Sequence, residues 1–211
     1  MQFLPGYMVV LSPEQTTYAW KIGKTRNGNN QANHVPEKKL TRRDSSEIHA
    51  QGVMGEMALF IMLGLPYEST LRDTRGRSAR TERTHDMLLQ SGETVDVKTT
   101  LVPNGFMRVP TWKRYNPASY YVHFEVLGGV MPGAGMIAKL LFRGAIHHTG
   151  VFTPNRPIQH QGDVYIVGVD ELAPFCYYRS TRPVELSTVA VNTSTGMTVE
   201  VGDGTCMAPL Q

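Results

Sequence analysis

The pattern of hydrophobic and polar positions is clearest between residues 94 and 100, where β-branched residues alternate with polar ones. A period of two predicts a β-strand with Asp96 and Lys98 on one face and valines on the other. The apolar run and turn residues at positions 87–93 come directly before it, so the whole stretch is predicted to be a β-hairpin. Asp86 begins the partner strand. Two carboxylates and an amine are therefore expected near one end of this hairpin.

A helical stripe of apolar residues precedes the hairpin. Apolar side chains recur at spacings of three and four, which predicts a helix over residues 47–65. Ser45 or Ser46 is expected to cap its start, and the glycine and proline that follow are expected to end it. Glu56 lies within this helix, next to Gly55. A glycine lowers helix propensity but lets a neighbouring backbone approach closely.

The other apolar runs are short and predict strands. They cover residues 7–11, 18–23, 119–127, 136–146 and 164–169, with a terminal hairpin over residues 184–201. The predicted fold class is therefore α+β or α/β, with a central mixed sheet, one flanking helix and β-hairpin extensions at both ends. The predicted domains are an N-terminal hairpin with a basic linker, a core and a C-terminal hairpin tail, over residues 1–44, 45–175 and 176–211.

Length and composition predict a globular protein outside the membrane. The chain has 211 residues, 41% of them hydrophobic, which is enough for a substantial core. No apolar run reaches membrane-spanning length, and residues 1–11 lack the features of a secretory signal. The two cysteines, Cys176 and Cys206, are expected to be free thiols in a reducing compartment. We therefore expect an intracellular, cytoplasmic protein with no membrane partner.

Positive charge is concentrated in the N-terminal half of the chain. The net charge is +3 overall, but seven basic residues against one acid give residues 21–43 a charge of +6. Residues 72–83 hold five arginines and two acids, for a charge of +3, whereas residues 144–211 carry −3. This asymmetry indicates a polyanionic partner, although a solvated surface explains either basic segment equally well. The candidate phosphate-contacting residues are Arg72, Arg75, Arg77, Arg80, Arg83, Lys113 and Arg114.

The hairpin resembles a known nuclease signature. Asp86, nine further residues and then Asp96-Val97-Lys98 resemble the motif of the PD-(D/E)XK nuclease superfamily, whose members also tend to carry a glutamate on the preceding helix, as Glu56 does here. The resemblance covers residues 47–126 and extends more weakly to residue 172. His85 stands where the family has proline, which lowers the specificity of the match.

This resemblance implies a restriction-endonuclease-like core and a Mg²⁺-dependent nuclease acting on DNA, with Mn²⁺ as an alternative ion and a phage or mobile-element origin. It implies that Asp86, Asp96, the Val97 carbonyl and Glu56 bind the metal, and that Lys98 positions the attacking water. It also places the arginine-rich loop beside the substrate. A homodimer is also compatible with the sequence.

Three alternatives remain open. Asp96 and Lys98 could form only a salt bridge, in a structural or inhibitory protein. The chain could instead be a catalytically silent nucleic-acid-binding protein that keeps the fold. Finally, residues 6–25 resemble the opening of GIY-YIG nuclease domains, which would assign Tyr7, Arg26 and Glu56 to a site, although the second tyrosine of that motif is replaced.

Overall fold

The structure is a computed structural model that describes residues 2–32, 43–68, 85–159 and 163–177. In chain order the elements are β1 (Gln2–Phe3), β2 (Met8–Leu11), α1 (Pro13–Ala32), α2 (Ser45–Met62), β3 (Met87–Leu88), β4 (Thr94–Thr100), β5 (Met107–Pro110), a 3₁₀ helix (Thr111–Tyr115), β6 (Tyr120–Val126), β7 (Ala138–His147), α3 (His148–Val151), β8 (Ile158–Gln159), β9 (Val164–Val167), a second 3₁₀ helix (Val169–Glu171) and β10 (Phe175–Cys176). The arginine-rich loop over residues 72–83 and the terminal hairpin over residues 184–201 lie outside the described residues. No helix among those described is long and apolar enough to cross a membrane.

A mixed sheet of five strands forms the centre of the fold, in the order β2-β7-β6-β4-β3. Strands β4 and β6 run parallel, and the other neighbouring pairs run antiparallel. The predicted α+β architecture with a mixed sheet is therefore confirmed. Because parallel neighbours need a crossover connection, residues 101–119 must pass over the sheet between β4 and β6. This crossover carries β5 and the first 3₁₀ helix.

The predicted hairpin and the helix before it are both present. Strand β3 pairs antiparallel with β4, and Gly92 in the turn has a φ of +87°, a conformation that glycine adopts cheaply. Helix α2 packs on the apolar face of β4. A Cβ atom at Gly55 would lie only 2.2 Å from Cγ2 of Thr99, so glycine is required for this approach. The helix cap is Asp44 rather than Ser45 or Ser46, since its side chain accepts a hydrogen bond from the Ser46 N–H at 2.7 Å.

The predicted N-terminal β-hairpin is wrong, because residues 18–23 lie within helix α1 and not in a strand. The missed signal is a capping box in the sequence Ser-Pro-Glu-Gln. The Gln15 side chain accepts from the Ser12 N–H at 2.8 Å, and Ser12 Oγ accepts from the Gln15 N–H at 3.3 Å. Pro13 occupies the first helical position, where proline is favoured. Helix α1 then packs closely on α2.

The second face of the five-stranded sheet is partly covered by a small sheet of three strands, β5-β9-β8. Buried apolar side chains from this sheet, among them Met107 and Val167, pack with Tyr121 of β6. The short strands β1 and β10 form a separate pair. Within β10, Cys176 is disulfide-bonded, so the expectation of a free thiol at this position is wrong.

Candidate functional site

Asp86 extends the pairing of β3 with β4 through its side chain. Its N–H donates to the Val95 carbonyl at 2.8 Å, and its Oδ2 accepts from the Val97 N–H at 2.6 Å. Burial raises the pKa of Asp86 well above its usual range, and the negative charges of Glu56 and Asp96 raise it further. The nearby Lys98 ammonium and the Val97 hydrogen bond act in the opposite direction without compensating. Three acidic residues from two elements and the start of a third therefore converge on one region.

Asp96 lies on the opposite face of β4 from helix α2 and is held by two lysines. Only 2% of Asp96 is exposed, and its Oδ1 and Oδ2 accept from Lys98 Nζ at 2.7 Å and from Lys113 Nζ at 2.5 Å. Burial alone would raise the pKa of this carboxyl, but the two ammonium groups outweigh burial and lower it. Asp96 is therefore ionised at neutral pH. Its negative charge attracts both lysine ammonium groups and so helps to hold their side chains in place.

Lys113 is a site residue that sequence reasoning placed elsewhere. It was predicted with Arg114 as a phosphate contact, but it points inward from the 3₁₀ helix Thr111–Tyr115 and is buried, whereas Arg114 is exposed. Burial lowers the pKa of Lys113, and the neighbouring Lys98 charge lowers it further, while Asp96 acts against both. No local sequence signal links Lys113 to Asp96, because the crossover brings them together from 17 positions apart.

Glu56 is bound by an arginine from the neighbouring helix. Arg26 of α1 donates to both carboxylate oxygens, at 2.6 and 2.8 Å, and only 7% of Glu56 is exposed. This bidentate pair joins two of the three residues that the GIY-YIG resemblance selects. The third, Tyr7, is exposed on the segment before β2 and packs edge-on against the Phe3 ring at 5.8 Å. The segment that should hold the second strand of that motif is helical.

The donor chemistry of Glu56, Asp86 and Asp96 fits a hard divalent cation, which prefers carboxylate oxygens. Their positions are less favourable: within the described ranges, no three His, Cys, Asp or Glu side chains are placed to hold a metal ion. The reason is visible in the contacts, since Glu56 faces Arg26 and Asp96 faces two lysines. Metal binding would require these carboxylates to exchange an ammonium or guanidinium partner for the ion.

A second polar cluster lies on the same sheet face, and sequence reasoning missed it. Tyr121, His123 and Glu125 alternate along β6, in register with Asp96, Lys98 and Thr100 of the parallel strand β4. The alternation in β6 is visible in the sequence, but the register that sets it beside the site is not.

Buried His123 is neutral, with a pKa lowered to about 4 by burial and by the positive charge of Arg143. Glu125 accepts from Arg143 Nε at 2.8 Å and from the Asn104 N–H at 2.9 Å. Arg143 also donates to Oδ1 of Asn104 at 2.7 Å. These contacts fix the loop that follows β4.

The chain belongs to a family of unknown function, DUF5843, whose profile matches residues 4–175. The matched region contains every described residue discussed above as part of the candidate site. No curated protein and no solved structure matches the chain significantly.

Proposed function

We propose that this member of the DUF5843 family is a nuclease that hydrolyses phosphodiester bonds in DNA with Mg²⁺ or Mn²⁺. The observation that carries the proposal is the electrostatic environment of Asp86. Burial raises the pKa of this carboxyl most, and the negative charges of Glu56 and Asp96 raise it further. Convergence of like charges in a poorly solvated place destabilises a protein unless the site binds a positive ligand, and perturbed groups of this kind cluster at functional sites.

The order of elements supports a restriction-endonuclease-like core. Helix α2 supplies Glu56, the β3–β4 hairpin supplies both aspartates and Lys98, and β6 follows as a parallel neighbour of β4. A helix with Glu56 followed by the hairpin is the order that the resemblance to PD-(D/E)XK nucleases implies. The Asp86 side chain also has a defined structural role, because its bond to the Val97 N–H fixes one carboxylate oxygen. Its other oxygen is then left to face the ligand.

In this proposal each residue has one task. Asp86 and Asp96, with the Val97 carbonyl and Glu56, would hold the ion. When bound, Mg²⁺ lowers the pKa of a water molecule and stabilises charge on the phosphate. Burial would lower the pKa of Lys98, but the negative charges of Asp96 and Asp86 outweigh burial and raise it, so Lys98 stays protonated. Its ammonium group would orient the attacking water and neutralise negative charge that develops on the phosphate oxygens.

A catalytically silent DNA-binding protein is the second candidate, and one observation favours it. The carboxylate of Asp96 is already neutralised by Lys98 and Lys113. Two lysines occupy both oxygens in the way that a cation would. In that case the site would be a buried ion cluster that stabilises the crossover, and added metal would change nothing.

The experiment is to incubate the full chain with plasmid, single-stranded and junction DNA, with and without Mg²⁺ or Mn²⁺. Cleavage that needs the metal and disappears in Asp86→Asn and Lys98→Ala supports the nuclease. Asp163→Asn and Lys139→Ala are matched controls, because both side chains are exposed and neither takes part in these contacts. Metal-dependent cleavage that survives both site variants would refute the assignment, and DNA binding without cleavage would favour the silent protein.

A further inference from the structure

Two aromatic side chains project into solvent from the 3₁₀ helix that carries Lys113. Trp112 is 39% exposed and Tyr115 is 90% exposed. Side chains at positions i and i+3 of a 3₁₀ helix are eclipsed, so these two side chains leave the helix on the same side. Tyr115 therefore leaves almost its whole ring accessible to a ligand.

This aromatic pair is joined to the candidate site through a single side chain. The Nζ atom of Lys113 lies 2.5 Å from Oδ2 of Asp96 and 5.3 Å from the centroid of the Trp112 ring. The ammonium group thus bridges the carboxylate and the indole, as a cation–π contact on one side and an ion pair on the other. A ligand that stacks on Trp112 is therefore placed next to the residues assigned to hydrolysis.

The charge of the surrounding chain selects the class of ligand. Residues 97–124 contain no Asp or Glu, and they contain four basic residues. Of these, Arg108 and Arg114 are exposed close in sequence to the aromatic pair. Aromatic rings between basic side chains are the combination that binds single nucleic-acid strands, by stacking on bases and pairing with phosphates. A second copy of this surface would bring like charges together, which disfavours self-association.

We propose that Trp112 and Tyr115 form a stacking platform for unpaired bases beside Asp96, so that the DNA substrate presents a single strand or a frayed end at the site. The ligand class rests on the proposed function, but binding to the platform requires neither metal nor hydrolysis. Duplex DNA keeps its bases stacked on one another and offers the platform only its terminal pairs.

The test is binding of a fluorescein-labelled oligothymidylate to the full chain in EDTA, measured by anisotropy and compared with a hairpin duplex of equal length. Trp112→Ala and Tyr115→Ala should each weaken strand binding about 5- to 150-fold, because stacking of one base on one aromatic ring has that value. Trp112→Phe should keep most of the affinity, since a phenyl ring still stacks. Ile137→Ala, an exposed apolar residue outside the crossover, should bind as the wild type does.

Tryptophan emission gives an independent readout, because the chain has only two tryptophans. The indole of Trp20 is partly buried and donates to the Pro132 carbonyl at 2.8 Å, so the strand should quench Trp112 selectively. Quenching should vanish in Trp112→Phe and be weaker with the duplex.

Wild-type affinity in both alanine variants, or an equal loss for strand and duplex, would overturn the platform even if the chain cleaves DNA. An absence of cleavage with intact, Trp112-dependent strand binding would instead refute only the nuclease. Self-association that Trp112→Ala abolishes would assign the surface to contact between copies and also overturn the proposal.

Discussion

Acidification should destabilise the protein through His123 on strand β6. The ordinary pKa of histidine, about 6.5, applies to the unfolded chain, whereas in the folded chain burial and Arg143 lower the pKa of His123 to about 4. Between these two pH values the unfolded chain binds a proton that the folded chain does not. The contribution of His123 to stability is therefore complete above pH 6.5 and is lost as the pH falls towards 4.

The magnitude follows from the two pKa values. A difference of about 2.5 pH units, at 1.36 kcal/mol per unit, corresponds to about 3 kcal/mol of unfolding free energy. His123 is only 1% exposed, so solvent screening reduces this value little. Glu125 opposes the effect of Arg143, and Lys98 is the register partner of His123 on β4.

The assay is urea unfolding at several pH values from neutral to about 4.5, for the wild type and for His123→Gln. Other groups also titrate in this range, so the informative quantity is the change with pH of the stability difference between the two proteins. That change should favour the variant by about 2–3 kcal/mol at the acidic end. Ile137→Ala changes an exposed residue without removing a titrating group and should follow the wild-type pH dependence. Equal pH dependence of wild type and His123→Gln would refute a buried, neutral His123.

Three further predictions concern the candidate site. Asp86→Asn should raise the midpoint of urea unfolding at neutral pH, because it removes repulsion from Glu56 and Asp96 yet keeps an oxygen for the Val97 N–H; the same change should abolish metal-dependent cleavage. A lower midpoint in that variant would contradict the repulsion. Lys113→Met should cost about 2 kcal/mol of unfolding free energy, since one charged hydrogen bond is lost while Lys98 still pairs with Asp96. The exposed Arg114→Met serves as its control, and equal losses would mean that the ion pair contributes nothing. For the arginine-rich loop, anisotropy titrations across salt concentrations in the Asp86→Asn background should give a log–log slope flatter by about 0.7–0.9 for each arginine replaced by alanine. The variant to use replaces Arg75, Arg77 and Arg80 with alanine. An unchanged slope in this variant would mean that these arginines do not contact phosphates.

Features encoded by short-range patterns could be predicted from the sequence. The alternation in Thr94–Thr100 gave both the strand and the separation of Asp96 from the valines, and Gly92 gave the turn. The spacing of apolar residues gave helix α2, and Gly55 gave its close packing. Each of these depends on residues fewer than about ten positions apart, where the chain's own geometry decides the outcome.

Helix α1 and the positions of Lys113 and His123 could not be predicted in this way. Helix α1 depends on a short capping signal, and the two side-chain positions depend on contacts between distant parts of the chain. Ser12 and Gln15 form a capping box that starts helix α1, but the apolar residues at 18–23 predict a strand there, so the sequence does not reveal the Arg26–Glu56 pair. Lys113 reaches Asp96 only because the crossover passes over the sheet. The position of His123 beside Lys98 follows from strand register, which no local pattern specifies.

The missing methyl group at Gly55 also determines where Glu56 lies. Because a Cβ atom there would approach Thr99 to 2.2 Å, any larger residue would push helix α2 away from β4 by more than about 1 Å. Glu56 is the next residue and would move with the helix, whereas Asp86 and Asp96 would stay with the hairpin. Bonds from Mg²⁺ to oxygen are about 2.0–2.1 Å long, and those from Ca²⁺ are about 2.3–2.6 Å. On the proposed function, the backbone spacing at Gly55 therefore helps to set how close Glu56 can come to a cation held by Asp86 and Asp96.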